Sequence, residues 1–175
     1  MGDRLGLLVV DVQNAMFEAE EPIYQGEEVT QRIAGLLEQA RTADVPVIFI
    51  RHTEAEGPLA EGSPSWQIHD TVAPKPGESI FQKETPDSFE QTPLNTHLQE
   101  IGVNRLVIVG MQTDYCINAT SRRAAELGYR PILVSDAHTT VDEGGETAKE
   151  IIARYNGELA DFSVELQPAS RISFG

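Results

Sequence analysis

From Leu5 to Leu166, short apolar runs alternate with stretches whose apolar residues recur at helical spacing. No other feature restricts the fold as much. The run Leu5–Val10 is unbroken, as expected of a strand buried on both faces. Ile33, Leu36, Leu37 and Ala40 follow at the intervals of an amphipathic helix. Val47–Ile50, introduced by Pro46, and Ser79–Gln82 read as further strands. Thr92 as N-cap, Pro93 at the first helical position, a face of Leu94, Leu98 and Ile101, and a stop at Gly102 predict the next helix. Arg105–Val109 is a strand, followed by a helix from about Asp114 to Leu127 that stops at Gly128. Pro131–Ser135 is a strand, Ile151, Ile152 and Tyr155 mark a helix, and Phe162–Leu166 alternates as a last strand. Such alternation implies parallel strands joined by right-handed helical crossovers, with helices on both faces. The expected fold is α/β: one domain over residues 1–175, a three-layer αβα sandwich with a mostly parallel sheet. Only Gly57–Gly77, rich in proline and glycine, is too irregular for a regular element.

Charge narrows the partners. The chain carries 28 acidic and 13 basic residues, a formal net charge of −15. Such a surface repels phosphate backbones and argues against nucleic acid. It suits cationic substrates, although acidic surfaces also serve solubility alone. With 40% apolar and 23% charged residues the composition is that of a soluble globular protein. No apolar run reaches membrane-spanning length, and no basic segment leads into a long apolar one near the N-terminus. The single cysteine cannot form an internal disulfide, which fits a reducing compartment. A cytoplasmic protein without membrane contact is expected.

In parallel sheets ligands bind beyond the carboxyl ends of the strands. The residues found there are Asp11; Arg51 and His52; Lys83; Gly110–Cys116; and Asp136–His138. Cys116 lies about one turn into a helix, with Thr113 or Asp114 available as N-cap, where free N–H groups and the helix dipole lower a thiol pKa. By position it is either a nucleophile or a small buried hydrophobe. Asp11 ends an apolar run and is either a partly desolvated proton shuttle or a helix N-cap. Lys83 taken alone reads as an exposed loop lysine. Trp66, in the long irregular loop, is either a pocket wall or packing. Phe17, His52, Trp66 and Tyr115 are the candidate substrate-binding residues. Glu18, Glu20 and Glu21 read as a solvated face. His52, His69 and His138 give no ligand set at workable spacing, so neither a metal nor a cofactor is expected.

Three stretches, Leu7–Asn14, Gln82–Phe89 and Val109–Cys116, together resemble the isochorismatase-like cysteine hydrolase superfamily, with a likeness running from about Leu5 to Phe174. The resemblance implies a six-stranded sheet with the first and fourth strands adjacent, and a cis peptide between Met111 and Gln112. It implies Cys116 as nucleophile with Asp11 and Lys83 as catalytic partners, and the N–H groups of Gln112 and Cys116 as oxyanion hole. Isochorismatases proper lack the cysteine, so Cys116 points to the amidase branch, acting on a small-molecule amide. Nicotinamidases carry an aspartate two residues before the histidine that follows the second strand. Ile50 stands there in this chain, which argues against their metal. The stretch Gly57–Trp66 is similar to the branch containing streptothricin hydrolase and many uncharacterised members. Proteins of this kind commonly assemble as homodimers or higher homo-oligomers that bury such a segment. Other readings are a nicotinamidase-like or isochorismatase-like hydrolase, a redox sensor, or a catalytically idle interaction protein. The lack of a second cysteine counts against the sensor.

Overall fold

The structure, a computed structural model, describes residues 2–175. Strands β1 (Leu5–Val10), β2 (Val47–His52), β3 (Ser79–Lys83), β4 (Arg105–Met111), β5 (Arg130–Thr139) and β6 (Glu165–Gln167) form one sheet. Its order is β3-β2-β1-β4-β5-β6, and every pairing is parallel. The helices are α1 (Ala15–Glu18), α2 (Gly26–Thr42), α3 (Leu94–Glu100), α4 (Asn118–Glu126) and α5 (Ala148–Asp161).

The apolar runs fold as strands because both faces are covered. Alternate side chains point to opposite sides of a strand. Leu7, Val9, Phe49, Val107 and Val109 therefore pack with Ile33, Leu36, Leu37 and Ala40 of α2. Their neighbours Leu8, Val10, Ile48, Ile50 and Ile108 pack with Leu94 and Leu98 of α3, Ala124 of α4 and Leu159 of α5. These two cores make the three layers.

The chain runs from β1 outward through β2 to β3, then returns to add β4 on the other side of β1. The crevice where strand order reverses therefore opens between the carboxyl ends of β1 and β4. Gly110 permits their close approach. It sits at φ +129°, and a Cβ there would stand 2.0 Å from the Val10 carbonyl oxygen. The Met111–Gln112 peptide is cis.

Several boundaries differ from the sequence reading. Pro93, not Thr92, holds the cap position of α3, although the Thr92 hydroxyl accepts a hydrogen bond from the Leu94 N–H (3.3 Å). The helix expected from Asp114 begins as a π-helical turn, Thr113–Ile117. Neither Thr113 nor Asp114 caps it. The Thr113 hydroxyl meets His138 Nδ1 (2.7 Å), and the Asp114 carboxylate accepts from Thr140 (2.7 Å). Strand β5 continues through polar residues to Thr139, because the His138 ring is hydrogen-bonded on both sides. Phe162 closes α5 instead of opening a strand, its N–H bonded to the Glu158 and Leu159 carbonyls.

The segment Gly57–Gly77 has one turn of 3₁₀ helix, Asp70–Val72, and is otherwise irregular. It is nevertheless tied to its own chain: the His69 N–H donates to Val12, the Asn14 N–H to Gln67, and Trp66 is buried.

Candidate active site

Asp11 directly follows β1 in the left-handed region (φ 52°), with its N–H donating to the Ile50 carbonyl (3.0 Å). It caps no helix. Lys83 ends β3 beside His52, the last residue of β2, and its side chain reaches across that strand end. Cys116 lies in the π-helical turn after β4. Three strand ends thus converge on one point.

The Lys83 ammonium is that point. Its Nζ lies 2.8 Å from Asp11 Oδ2, 3.1 Å from Cys116 Sγ and 3.0 Å from His52 Nδ1. The Lys83 and Asp11 side chains are fully buried, so the loop-lysine reading does not hold. The Asp11 contact is an ion pair with poor hydrogen-bond alignment, and neither Asp11 oxygen accepts a hydrogen bond among the described residues.

Burial by itself would lower the Lys83 pKa, but Asp11 and Cys116 outweigh it and hold the ammonium above the usual lysine value. For Cys116 the balance goes the other way. Burial, reinforced by the Asp11 carboxylate, pushes the thiol up to about 12 against the pull of Lys83. This reverses the expectation of a thiol acidified by a helix start. The turn is π-helical and uncapped, and a buried thiol beside a carboxylate resists ionisation more than one ammonium favours it.

His52 is held below the usual histidine value by burial and by Lys83. Its Nδ1 accepts from the ammonium, so the neutral ring carries its proton on Nε2, which lies 3.6 Å from Glu54 Oε1.

A cavity of about 570 Å³ opens over this cluster. Of the expected residues, Asp11, His52, Gln112, Tyr115 and Cys116 line it, and Lys83 lies beneath. Phe17 and Trp66 do not line it. Phe17 packs on His69, ring centroids 4.5 Å apart. Trp66 donates to Thr53 (2.9 Å) and carries the Arg51 guanidinium 3.4 Å above its ring centroid, as packing under the loop. Glu21, assigned to a solvated face, lines the cavity with Glu54, Asp142 and Glu143.

One functional residue escaped the sequence reading although it stands inside the first motif. Gln13 is fully buried. Its amide nitrogen donates to the His52 and Trp66 carbonyls (2.9 and 2.8 Å), and its oxygen accepts from the His52 N–H (2.9 Å). It pins the loop to the end of β2 and so fixes where His52 stands.

Donor atoms of Asp11, His52 and Cys116 lie within 4.8 Å of one another, a spacing that would suit a metal ion. Lys83 contacts all three and supplies the positive charge there, so the donor set does not fit an added cation. The sequence also contains Asp136-Ala137-His138, which has a ligand-like spacing. There Asp136 accepts from the Ala169 N–H, while His138 Nε2 lies 2.8 Å from Asn156 Oδ1. The two serve separate networks.

Comparison with known proteins agrees with this architecture. The Isochorismatase domain matches residues 6–161. A streptothricin hydrolase of Streptomyces noursei is 39% identical over 78% of this chain and 50% of its own length. The chain thus spans about half the length of that relative. The uncharacterized isochorismatase family protein YddQ of Bacillus subtilis is 38% identical, covering 77% of each chain. The crystal structure of an isochorismatase from Pseudomonas putida KT2440 superposes with a TM-score of 0.92 at 28% identity, over 97% of this chain and 90% of that one. With sheet order, strand-end cluster and domain match in agreement, the chain belongs to the isochorismatase family of hydrolases.

Proposed function

We propose that this protein is a cysteine hydrolase that cleaves the C–N bond of a small-molecule amide through a thioester. The observation that carries the reading is the Lys83 ammonium, 2.8 Å from Asp11 and 3.1 Å from the Cys116 sulfur beneath an open cavity. Because the resting thiol is neutral, its proton must leave as the sulfur attacks. Asp11, ion-paired with Lys83 through Oδ2, takes that proton. The sulfur bonds to the carbonyl carbon, and the displaced electron pair collects on oxygen, for which the N–H groups of Gln112 and Cys116 are the candidate donors. The carbonyl then re-forms, the C–N bond breaks, and Asp11 returns the proton to the departing nitrogen. Water next attacks the thioester, giving one proton to Asp11 and, through it, back to sulfur. The products are a carboxylic acid, an amine or ammonia, and the free thiol. Lys83 stays charged throughout and steadies both anions.

The raised thiol pKa also counts against a redox sensor, which needs a thiolate at rest. A reducing cytoplasm suits the lone thiol. Among the described residues no helix is long and apolar enough to cross a membrane. Assembly into at least a homodimer is what the family resemblance supports; light scattering at working concentration tests it, and a monomer with full activity would rule it out. The central test is an ammonia- and amine-release screen over small amides with wild type and Cys116→Ala. Release is expected from the wild type alone, with identical circular dichroism spectra. Substantial turnover by Cys116→Ala would overturn the mechanism.

A further inference from the structure

We propose that His52 is a positioning residue for the hydrolysis, its Nδ1 accepting a hydrogen bond from the Lys83 ammonium and so holding that charge between Asp11 and Cys116. The inference rests on the hydrolase reading and adds a fourth side chain to it. An ammonium has three donors and no lone pair, and the Lys83 side chain is fully buried, so each N–H needs a partner. Three stand within reach: Asp11 Oδ2 at 2.8 Å, Cys116 Sγ at 3.1 Å and His52 Nδ1 at 3.0 Å. Two of these exchange charge during the proposed reaction. As Asp11 takes the thiol proton it loses its negative charge, and its hold on the ammonium weakens. His52 alone offers the same lone pair throughout, which keeps the ammonium beside the sulfur while charge moves.

The ring is itself held in place. His52 ends β2 in register with Lys83 on β3. Buried Gln13 grips its backbone from both sides, accepting from the N–H and donating to the carbonyl, each at 2.9 Å. Nε2 carries the ring proton and lies 3.6 Å from Glu54 Oε1. With Nδ1 engaged by the ammonium, the neutral ring has no free lone pair and cannot act as a base toward water. Facing the ring are Lys83 from β3, Asp11 after β1, Cys116 after β4 and Glu54 from its own loop. Protonating Nδ1 would remove the acceptor and set two cations 3.0 Å apart. Burial and Lys83 both hold the His52 pKa below the usual histidine value, which keeps the ring neutral near neutral pH. Turnover should therefore fall as pH drops through that lowered value.

The test compares amide hydrolysis by wild type, His52→Leu and His52→Asn across a range of pH. Leucine removes the acceptor, so kcat should fall at least about tenfold with KM little changed, as loss of a hydrogen bond to a buried charge implies. Asparagine places its Oδ1 near the former Nδ1 and does not titrate. It should restore much of the lost kcat and move the acid limb of the pH profile to lower pH. A rise in KM with kcat unchanged would make His52 a substrate contact and overturn the positioning role. An acid limb that stays in place in His52→Asn would overturn it as well. In a separate measurement, nitrogen-15 spectra of the imidazoles follow His52 without any substrate. Nε2 should carry the proton, and Lys83→Met should raise the His52 pKa toward the usual value. An unchanged titration would show that the two side chains do not meet, and the inference would fail. If wild type hydrolysed no amide while the linked titration held, the hydrolase reading would fail and the placing of Lys83 by His52 would stand.

Discussion

Asp11 and Lys83 act on the same sulfur with opposite sign, and that makes their roles separable. Asp11 raises the thiol pKa and Lys83 lowers it. Asp11→Asn should therefore speed iodoacetamide labelling of Cys116 at neutral pH. Under the proposed mechanism the same change removes the proton shuttle and should lower amide turnover by roughly 10²–10⁴-fold. Labelling and turnover moving together would refute the division of labour. Lys83→Met removes the pull on the thiol and leaves a buried carboxylate unpaired. Labelling should slow, and stability measured by urea titration should fall by about 3–5 kcal/mol. Sequence motifs bring forward these three residues, which the structure gathers at one point, because the chemistry proposed for them restricts residue type at fixed places. Phe17 and Trp66 stand outside the cavity lining, and the sequence does not reveal it, since an aromatic ring serves a pocket wall or a packing contact equally well. Nothing local in the sequence says which way it turns.

Two elements meet only because of what stands between them. Strand β4 approaches the end of β1 at Gly110, where any Cβ would overlap the Val10 carbonyl. Gly110→Ala must push the strands apart at the crevice, so a loss of more than about 3 kcal/mol in urea titration is expected, with turnover lost even where the fold survives. A change under about 1 kcal/mol would show that the strand ends yield easily. Behind them, His138 of β5 joins the Thr113 hydroxyl at the start of the nucleophile turn to Asn156 of α5. Burial holds its pKa down at about 4, against 6.5 in the unfolded chain. Between those values the unfolded chain binds more protons. The stabilisation is therefore complete above about pH 6.5 and lost as pH falls toward 4, amounting to about 3 kcal/mol. Urea midpoints should drop across that window in wild type and drop less in His138→Gln. The apolar runs mark β1, β2 and β4 to within two residues, because both faces of each are buried along those runs, while the edge strand β3 alternates half-buried and exposed residues. The tail of β5 and the start of α4 were hidden. Their polar residues are satisfied by partners distant in sequence, such as Thr113 with His138.

At the scale of the whole molecule the question is whether a net charge of −15 helps or strains the fold. Ion pairs between exposed groups, such as Arg154 with Glu146 and Arg123 with Glu126, contribute little, because solvent screens them and ordering the side chains costs entropy. The excess of acids repels itself over longer range, and dissolved salt screens that repulsion beyond about 10 Å at 0.1 M. Screening should weaken the few attractive pairs less than it relieves the general repulsion, so sodium chloride should raise the urea midpoint. The sequence states this charge directly, but not that several of the acids line the cavity over Cys116. Glu100 allows a sharper test. It is exposed at the last turn of α3, where the helix dipole already disfavours a negative charge. Glu100→Lys removes one repulsive charge and places a favourable one at the same helix end. A gain of roughly 0.3–1 kcal/mol is expected at low ionic strength, fading as salt is added. A gain that persists unchanged in high salt would have to come from side-chain packing, and the electrostatic account of this surface would fail. If sodium chloride lowered the wild-type midpoint, the local ion pairs would outweigh the net charge, and the acidic surface would be a neutral companion of the fold rather than a strain on it.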